Sequence, residues 1–521
     1  MPTDFRKDTR QTLAGIFIQD DYRLRPNLTL TLGLRWSYFG SISENSDDLS
    51  SVVLGDGNAA LTGLSLRLGG KLYDVSKTDF GPQVSFAWSP SRFNERLVFR
   101  GGAGIAYNGL DQAISLNGRG NAPFLSTAGN LTGSQIVYGV GSFPADVNSF
   151  SGYASNPATI ATFDPNTNLP VPGGPNFAQI SLTGYPAEWP TTRAVQYSLE
   201  AEYDLGNQWV ASLGYQGSTT RHLTIQRNLN RVLAAQGVPL NPIVNNLEYY
   251  SNDGNAEFNA LLAGIRHRFS NSFELVGQYR LSRSMDDGSN NFAQDAYSYD
   301  PEEAWGPSDY DATHMFKLWG VWSPTIFKNG GWLEKTLGGW TISGIFNAHS
   351  GFPWTPVYSG LGCGVIYAGS SGNCDLRPAA YLGGALEEFG DDAFKRPGGN
   401  FPGGGSVFFT PPSRVEGPPF DLIASGAVPA GPVPGRPGIS RNSFRGPRYF
   451  NIDATLSKGF GLPGAPVLGN AAKVEFRANF FNLFNQVNLF NVQNNINDSH
   501  FGEAQDGLAG RTIEMQVRFS F

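Results

Sequence analysis

The last eleven residues, Arg511 to Phe521, alternate in character at every step. Ile513, Met515, Val517, Phe519 and Phe521 share one parity; Thr512, Glu514, Gln516, Arg518 and Ser520 share the other. Successive side chains of a strand point to opposite faces, so this segment has one oily face and one charged, polar face. At about 3.3 Å per residue and a tilt of about 40°, it climbs roughly 27 Å, close to the ~25 Å apolar band of a membrane barrel. A soluble sandwich can also end on such a strand, so the question is whether the chain repeats the pattern.

It does. Leu28, Leu30, Leu32, Leu34, Trp36 and Tyr38 alternate with Thr29, Thr31, Gly33, Arg35 and Ser37. The same rhythm runs through 80–88, 97–108, 195–203, 209–216, 273–281 and 473–480. Less regular strands fit at about 13–23, 258–269, 314–323, 340–350 and 448–458, giving about thirteen in all. The polar face carries whole charges at Arg35, Arg100, Glu200, Glu202, Arg280, Glu475, Arg477, Glu514 and Arg518, whereas the oily face carries almost none. A charge on a lipid face costs roughly 2–4 kcal/mol, so register is strongly enforced there.

Connection length separates barrel from sandwich. Arg23–Asn27, Ser89–Arg96, Leu205–Asn207 and Ser270–Ser272 are tight, and 324–338 and 459–472 are intermediate. Between them lie long segments near 39–78, 109–192, 217–256, 284–313, 351–447 and 483–510. Transmembrane barrels have short periplasmic turns and long extracellular loops, and a sandwich gives no reason for such alternation. The expected fold is therefore all-β, a transmembrane antiparallel barrel, with long loops rich in Gly, Pro, Asn and Ser and irregular in structure. Alternation also fixes direction: the last strand descends to a periplasmic C-terminus, and the first strand descends as well. A first strand that descends, and an odd count, imply further strands upstream of Met1. The whole of 1–521 is then expected to be the C-terminal portion of a larger barrel, lying in the cell outer membrane.

Composition agrees. The chain has 521 residues, 16% of them charged, with 65 Gly and a net charge of −7; no basic block suggests nucleic acid. No apolar run of about 18 residues is present, so no transmembrane helix is expected. The N-terminus has no apolar signal region, which fits a chain lacking its own beginning. Cys363 and Cys374, the two cysteines, are spaced for a small disulfide loop in an oxidising compartment.

Several segments resemble a known family. They are Phe17-Ile-Gln-Asp-Asp-Tyr-Arg-Leu-Arg-Pro-Asn-Leu-Thr-Leu-Thr-Leu-Gly-Leu-Arg-Trp36, Gly214-Tyr-Gln-Gly-Ser218 and Tyr279-Arg-Leu-Ser-Arg-Ser-Met-Asp-Asp287. Gly306-Pro-Ser-Asp-Tyr-Asp-Ala-Thr-His314, Gly339–Gly344 with Ser350–Pro353, Arg441-Asn-Ser-Phe-Arg-Gly-Pro447, Phe480–Asn485 and the terminal Phe521 complete the set. Together they resemble the TonB-dependent outer-membrane receptors, and among them the Oar-like group. The resemblance implies a barrel of about 22 strands, of which about 13–14 are present, around an N-terminal plug. It implies a TonB-contacting box ahead of the plug, an extracellular ligand of unknown identity, and Phe521 as the signal read by the barrel-assembly machinery. It implies no cofactor and no catalysis. Two rivals remain open: a complete porin-like channel of 14 strands, and a secreted β-rich adhesin or carbohydrate-binding protein.

The residues themselves offer few chemical sites. Asp309 and Asp311 could contact substrate or a cation, with Asp300, Glu302 and Glu303 nearby, or serve local turn chemistry. The histidines (His222, His267, His314, His349, His500) show no zinc spacing. The polar-face charges above could pair with a plug or line a pathway, although any water-filled barrel interior is polar. Small residues at Gly101–Gly104 suggest close approach of a neighbour or plug. The aromatics Trp36, Tyr38, Trp88, Tyr107, Trp209, Tyr215, Trp319, Trp322 and Trp340 are expected to form interfacial girdles.

Overall fold

Every alternating segment forms a strand. In the computed structural model the described residues are 8–45, 47, 49–110, 116–123, 163–174, 177, 179–270, 272–289, 304–324, 338–362, 373–376, 406–407, 440–461, 472–495 and 502–520. Thirteen long strands are hydrogen-bonded in sequence order into one antiparallel sheet. They are β1 (Leu13–Arg25), β2 (Leu28–Phe39), β3 (Asp79–Trp88), β4 (Leu97–Asn108), β5 (Thr192–Gly206) and β6 (Trp209–Asn228). There follow β7 (Val244–Ser270), β8 (Phe273–Asp286), β9 (His314–Trp322), β10 (Trp340–His349), β11 (Tyr449–Gly461), β12 (Lys473–Phe481) and β13 (Thr512–Ser520). Among the described residues, β1 and β13 pair only with β2 and β12.

Register places like with like. Tyr22, Leu30, Phe86, Gly101, Leu199, Tyr215, Leu261 and Leu281 stand directly opposite one another from β1 to β8. Leu318, Phe346 and Ile452 continue this oily face, then Leu456, Ala478 and Met515. Its side chains are open to the surroundings: Ile18 is 72% and Met515 85% exposed. A contiguous apolar surface of this extent is rare on a monomeric soluble protein and marks a protein or membrane contact. The opposite, polar face is concave, since residues from seven strands line one hollow on it. At the long-connection end the oily face gives way to Asn259, whose Oδ1 accepts hydrogen bonds from the hydroxyls of Tyr197 at 3.1 Å and Tyr215 at 2.6 Å.

Small residues let the faces close. A Cβ on Gly101 would stand 2.8 Å from the Phe86 ring; one on Gly102 would stand 2.8 Å from Ser85 Cβ. The neighbours that Gly101–Gly104 admits are therefore side chains of the adjacent strands. At the short-connection end, Asn207 and Gln208 both have positive φ, 52° and 70°. That is the pattern of a two-residue hairpin turn matched to strand twist.

The other end departs from the expected irregular loops. β6 and β7 run on together through most of 217–256, leaving only 229–243 as connection, and that contains helix α1 (Leu229–Ala235). Above them the described residues of the connections β2–β3, β4–β5 and β6–β7 fold into a cap with a true hydrophobic core. Leu61, Leu64, Leu66, Leu169, Leu182, Val244 and Leu247 form one cluster; Ile42, Leu72, Tyr73, Tyr185, Trp189 and Tyr250 form another. Asn121 clamps three segments, donating to Ser50 O at 3.1 Å and Thr183 O at 2.7 Å and accepting from Thr183 N at 2.7 Å. Its side chain is buried, and each of these bonds satisfies a backbone group that would otherwise be stranded from water.

Candidate functional site

The concave face holds a hollow of about 540 Å³. No Asp, Glu, Lys, Arg or His lines it. One row of directly opposed residues crosses its floor from β1 to β7: Gln19, Gly33, Gln83, Gly104, Gln196, Ser218, Phe258. The glycines remove side chains on alternate strands, so each glutamine stands clear. A Cβ on Gly104 would come 3.0 Å from Gln83 Cγ. Gln19, Gln83, Gln196 and the neighbouring Gln216 have no hydrogen-bond partner for their amides among the described residues.

The charged residues expected on this face lie outside the lining of the hollow, and several neutralise one another. Arg100 Nη1 pairs with Glu202 at 2.5 Å, between β4 and β5 on the short-connection side. Glu200 stands opposite Arg100 in register. Arg35 Nε donates to Ser37 Oγ at 3.1 Å. Arg221 pairs with Glu257 at 2.9 Å on the other, convex face, with the parity of Tyr215 and Leu261 and toward the long-connection end, a pair the sequence did not single out. Arg477 pairs with Glu475 at 2.8 Å along β12, and Arg518 stands opposite Glu475 on β13. Glu514 stands opposite Asn479, and its side chain is exposed on the edge strand. The Arg280 guanidinium lies 6.0 Å from the centre of the Phe258 ring. Exposed pairs of this kind contribute at most about 1 kcal/mol each, so they set local charge more than stability.

The acidic stretch before β9 is paired with a basic segment: Asp311 is buried in that pairing, whereas the Asp309 side chain stays exposed. Arg441 donates to Asp286, to Asp309 at 3.2 Å, to Ser289 and to the carbonyl of Ala304. Arg445 donates to Asp311 at 2.5 Å, and Asn442 Nδ2 donates to Asp309 at 2.7 Å. The segments 306–314 and 441–447 thus interlock in an ionic clasp at the long-connection end. Each was visible as a motif, but nothing in the sequence paired them; their opposite charges were the one available signal. Asp300, Glu302 and Glu303 lie outside the described residues. So do Cys363, His500 and Phe521; Cys374 lies in the short strand Asn373–Leu376. Among the described residues no three His, Cys, Asp or Glu side chains gather as a metal site.

The remaining histidines join aromatic groups. His267 packs between Trp209 at 4.7 Å and Phe273 at 5.1 Å, and His349 stacks on Tyr449 at 4.9 Å. The His314 ring nitrogen hydrogen-bonds the Tyr279 hydroxyl at 2.7 Å, while His222 Nδ1 lies 3.2 Å from the Asn252 carbonyl oxygen. Trp36, Trp88, Trp209, Trp322 and Trp340 lie on the oily face as expected of girdle residues, but Trp319 does not. It shares its parity with Met315 and Lys317, so it projects to the concave side.

The family model described as an outer membrane beta barrel domain matches residues 1–515. The chain belongs to this family. The oily convex face is therefore the face toward outer-membrane lipid, and the concave face is the lumen side. Solved structures with similar folds include the ferripyoverdine receptor of the outer membrane of Pseudomonas aeruginosa (10% identity, 98% of this chain and 38% of that chain, TM-score 0.42). The FrpB iron transporter from Neisseria meningitidis is similar at 11% identity, over 98% of this chain and 45% of that chain, with a TM-score of 0.43. The siderophore receptor PiuA from Acinetobacter baumannii follows at 9% identity, over 98% and 43%, with a TM-score of 0.41. The chain thus spans less than half the length of these three structures. No curated protein matches it.

Proposed function

We propose that this chain is the C-terminal barrel portion of a TonB-dependent receptor of the Oar-like group, which takes up a ligand across the outer membrane. The observation that carries this is the arrangement at one end of the sheet. The long connections leave from that end, and described residues of several of them form a packed cap and an ionic clasp beside a polar lumen face. Cap and clasp would face the outside of the cell, where ligand is met, and the C-terminus would be periplasmic. Phe521 would be read by the assembly machinery, and Cys363 with Cys374 would close a loop disulfide. The plug and TonB-contacting box would be encoded upstream of Met1, completing a barrel of about 22 strands. Energy would reach the barrel only through that plug.

The test is genetic. The gene with its upstream sequence is expressed in its host, and envelopes are fractionated with detergent. The receptor reading expects an outer-membrane protein whose deletion abolishes uptake of a growth-limiting nutrient, with the same loss on deleting TonB. Uptake independent of TonB would leave a passive channel instead.

A further inference from the structure

We infer that the Gln–Gly row on the lumen face is a binding subsite for a neutral, polyhydroxylated ligand of the oligosaccharide class. This rests on the receptor reading above and names the chemistry of what passes through it. Three glutamines in register, Gln19, Gln83 and Gln196, are separated by Gly33 and Gly104. Their amides stand about 10 Å apart, two strand spacings, with open backbone between them. Ser85, Ser198, Gln216 and Ser218 add further donors and acceptors to the same hollow.

Charge decides against an ionic ligand. The lining carries no ionised group, and the flanking Arg100–Glu202 pair is internally neutral; the Arg280 guanidinium reaches only the outer end of the row, against the Phe258 ring. A charged ligand entering here would lose hydration without a counter-charge. A peptide is disfavoured on different grounds. Strand addition needs an open backbone edge, and on a sheet face every backbone group is already committed to the ladder. What the floor offers is side-chain amides and hydroxyls, each both donor and acceptor. Dense hydroxyls are the ligand groups that can satisfy them in either sense, and the Phe258 ring at the end of the row offers an apolar stop.

The experiment uses the whole receptor, expressed with its upstream sequence and held in detergent micelles. Calorimetry measures binding of heptameric neutral probes (an α-1,4-glucan, a β-1,4-glucan and a β-1,4-mannan), of an anionic oligogalacturonate of equal length, and of a neutral Gly-Ser peptide. At least one neutral sugar should bind, and the oligogalacturonate and peptide should not. Gln83→Ala and Gln196→Ala should each weaken binding about five- to tenfold, as loss of one or two neutral hydrogen bonds does. Both side chains are exposed and unpartnered, so the fold should be unaffected. Gln278→Ala, on the same face but outside the hollow, should leave binding unchanged. The proposal is overturned if no neutral sugar binds, if the anionic sugar or the peptide binds as well, or if Gln278→Ala weakens binding as much as the row variants. Binding in micelles needs no energised membrane. A chain that binds sugar while its host lacks TonB-dependent uptake would sink only the transport reading, and uptake without sugar binding only the ligand class.

Discussion

Arg445 donates to the Asp311 carboxylate at 2.5 Å, and Asp311 is almost wholly buried. Arg441 holds Asp286, also buried, in the same clasp. Removing one partner of a buried pair strands the other charge, at a cost of about 3–5 kcal/mol. Arg441→Ala should therefore open the clasp locally and leave the barrel strands standing. Hydrogen exchange should rise at the backbone N–H groups of Ser284 and Ser308, which bond Asp311 Oδ1 and Ser284 O. Arg441→Lys should restore only part of the protection, because an ammonium lacks the planar fork that reaches several acceptors together. Unchanged exchange in Arg441→Ala would show that the clasp carries no local stability.

The cap should fail first in alkali. Burial pushes the Tyr73 hydroxyl from 10.0 up to about 12, and burial raises Tyr185 as well. Between pH 10 and 12 an unfolded Tyr73 has lost its proton while the folded one keeps it. The folded state then binds more protons, so stability falls as pH rises through this window. Tyr73 alone should contribute a loss on the order of 2–3 kcal/mol by its upper end. Tyrosinate absorbance followed with far-UV circular dichroism should show cap tyrosines ionising together with loss of cap structure. Tyr73→Phe should reduce the alkaline loss, and a pH profile identical to the parent's would refute this origin.

Leu61 and Leu247 are wholly buried in the cap core, unlike any large side chain on the oily face. Leu61→Ala should cost about 2–5 kcal/mol, since it removes buried methyl groups and leaves a cavity. Limited proteolysis should then cut within 49–68 while β2 and β3 remain resistant. Equal resistance in the variant and the parent would mean that the cap does not depend on this cluster.

The strands were legible because a half-buried strand has the shortest period a sequence can carry. Leu28–Tyr38 and Lys473–Phe480 show it without help from neighbours. The cap was not legible. Its core draws Leu61, Leu169, Leu182 and Leu247 from four separate segments, with strands as short as Ser50–Val53 and Ser65–Leu68. No segment is long enough to show a period. Where β6 rises beyond the lipid, at Ser218-Thr-Thr-Arg-His222, both faces meet polar surroundings and alternation disappears although the ladder continues. The Gln–Gly row was hidden for another reason: each strand supplies one residue, and only register lines them up.

Register also gives the sharpest test of which face meets lipid. Val84 and Ser85 are neighbours on β3; Val84 stands opposite Leu32 and Ala103 on the oily face, Ser85 opposite Thr31 and Gly102 on the lumen face. Both are exposed, so neither substitution overpacks a core. Val84→Arg should destabilise the folded barrel by roughly 2–4 kcal/mol, the cost of a cation near mid-bilayer. Ser85→Arg puts the same charge in the wet lumen and should cost well under half of that. Urea titration of folding into lipid vesicles measures both, and the difference should vanish in the unfolded chain. Equal penalties would contradict the assignment of the convex face to lipid. A larger penalty at Ser85 would invert it.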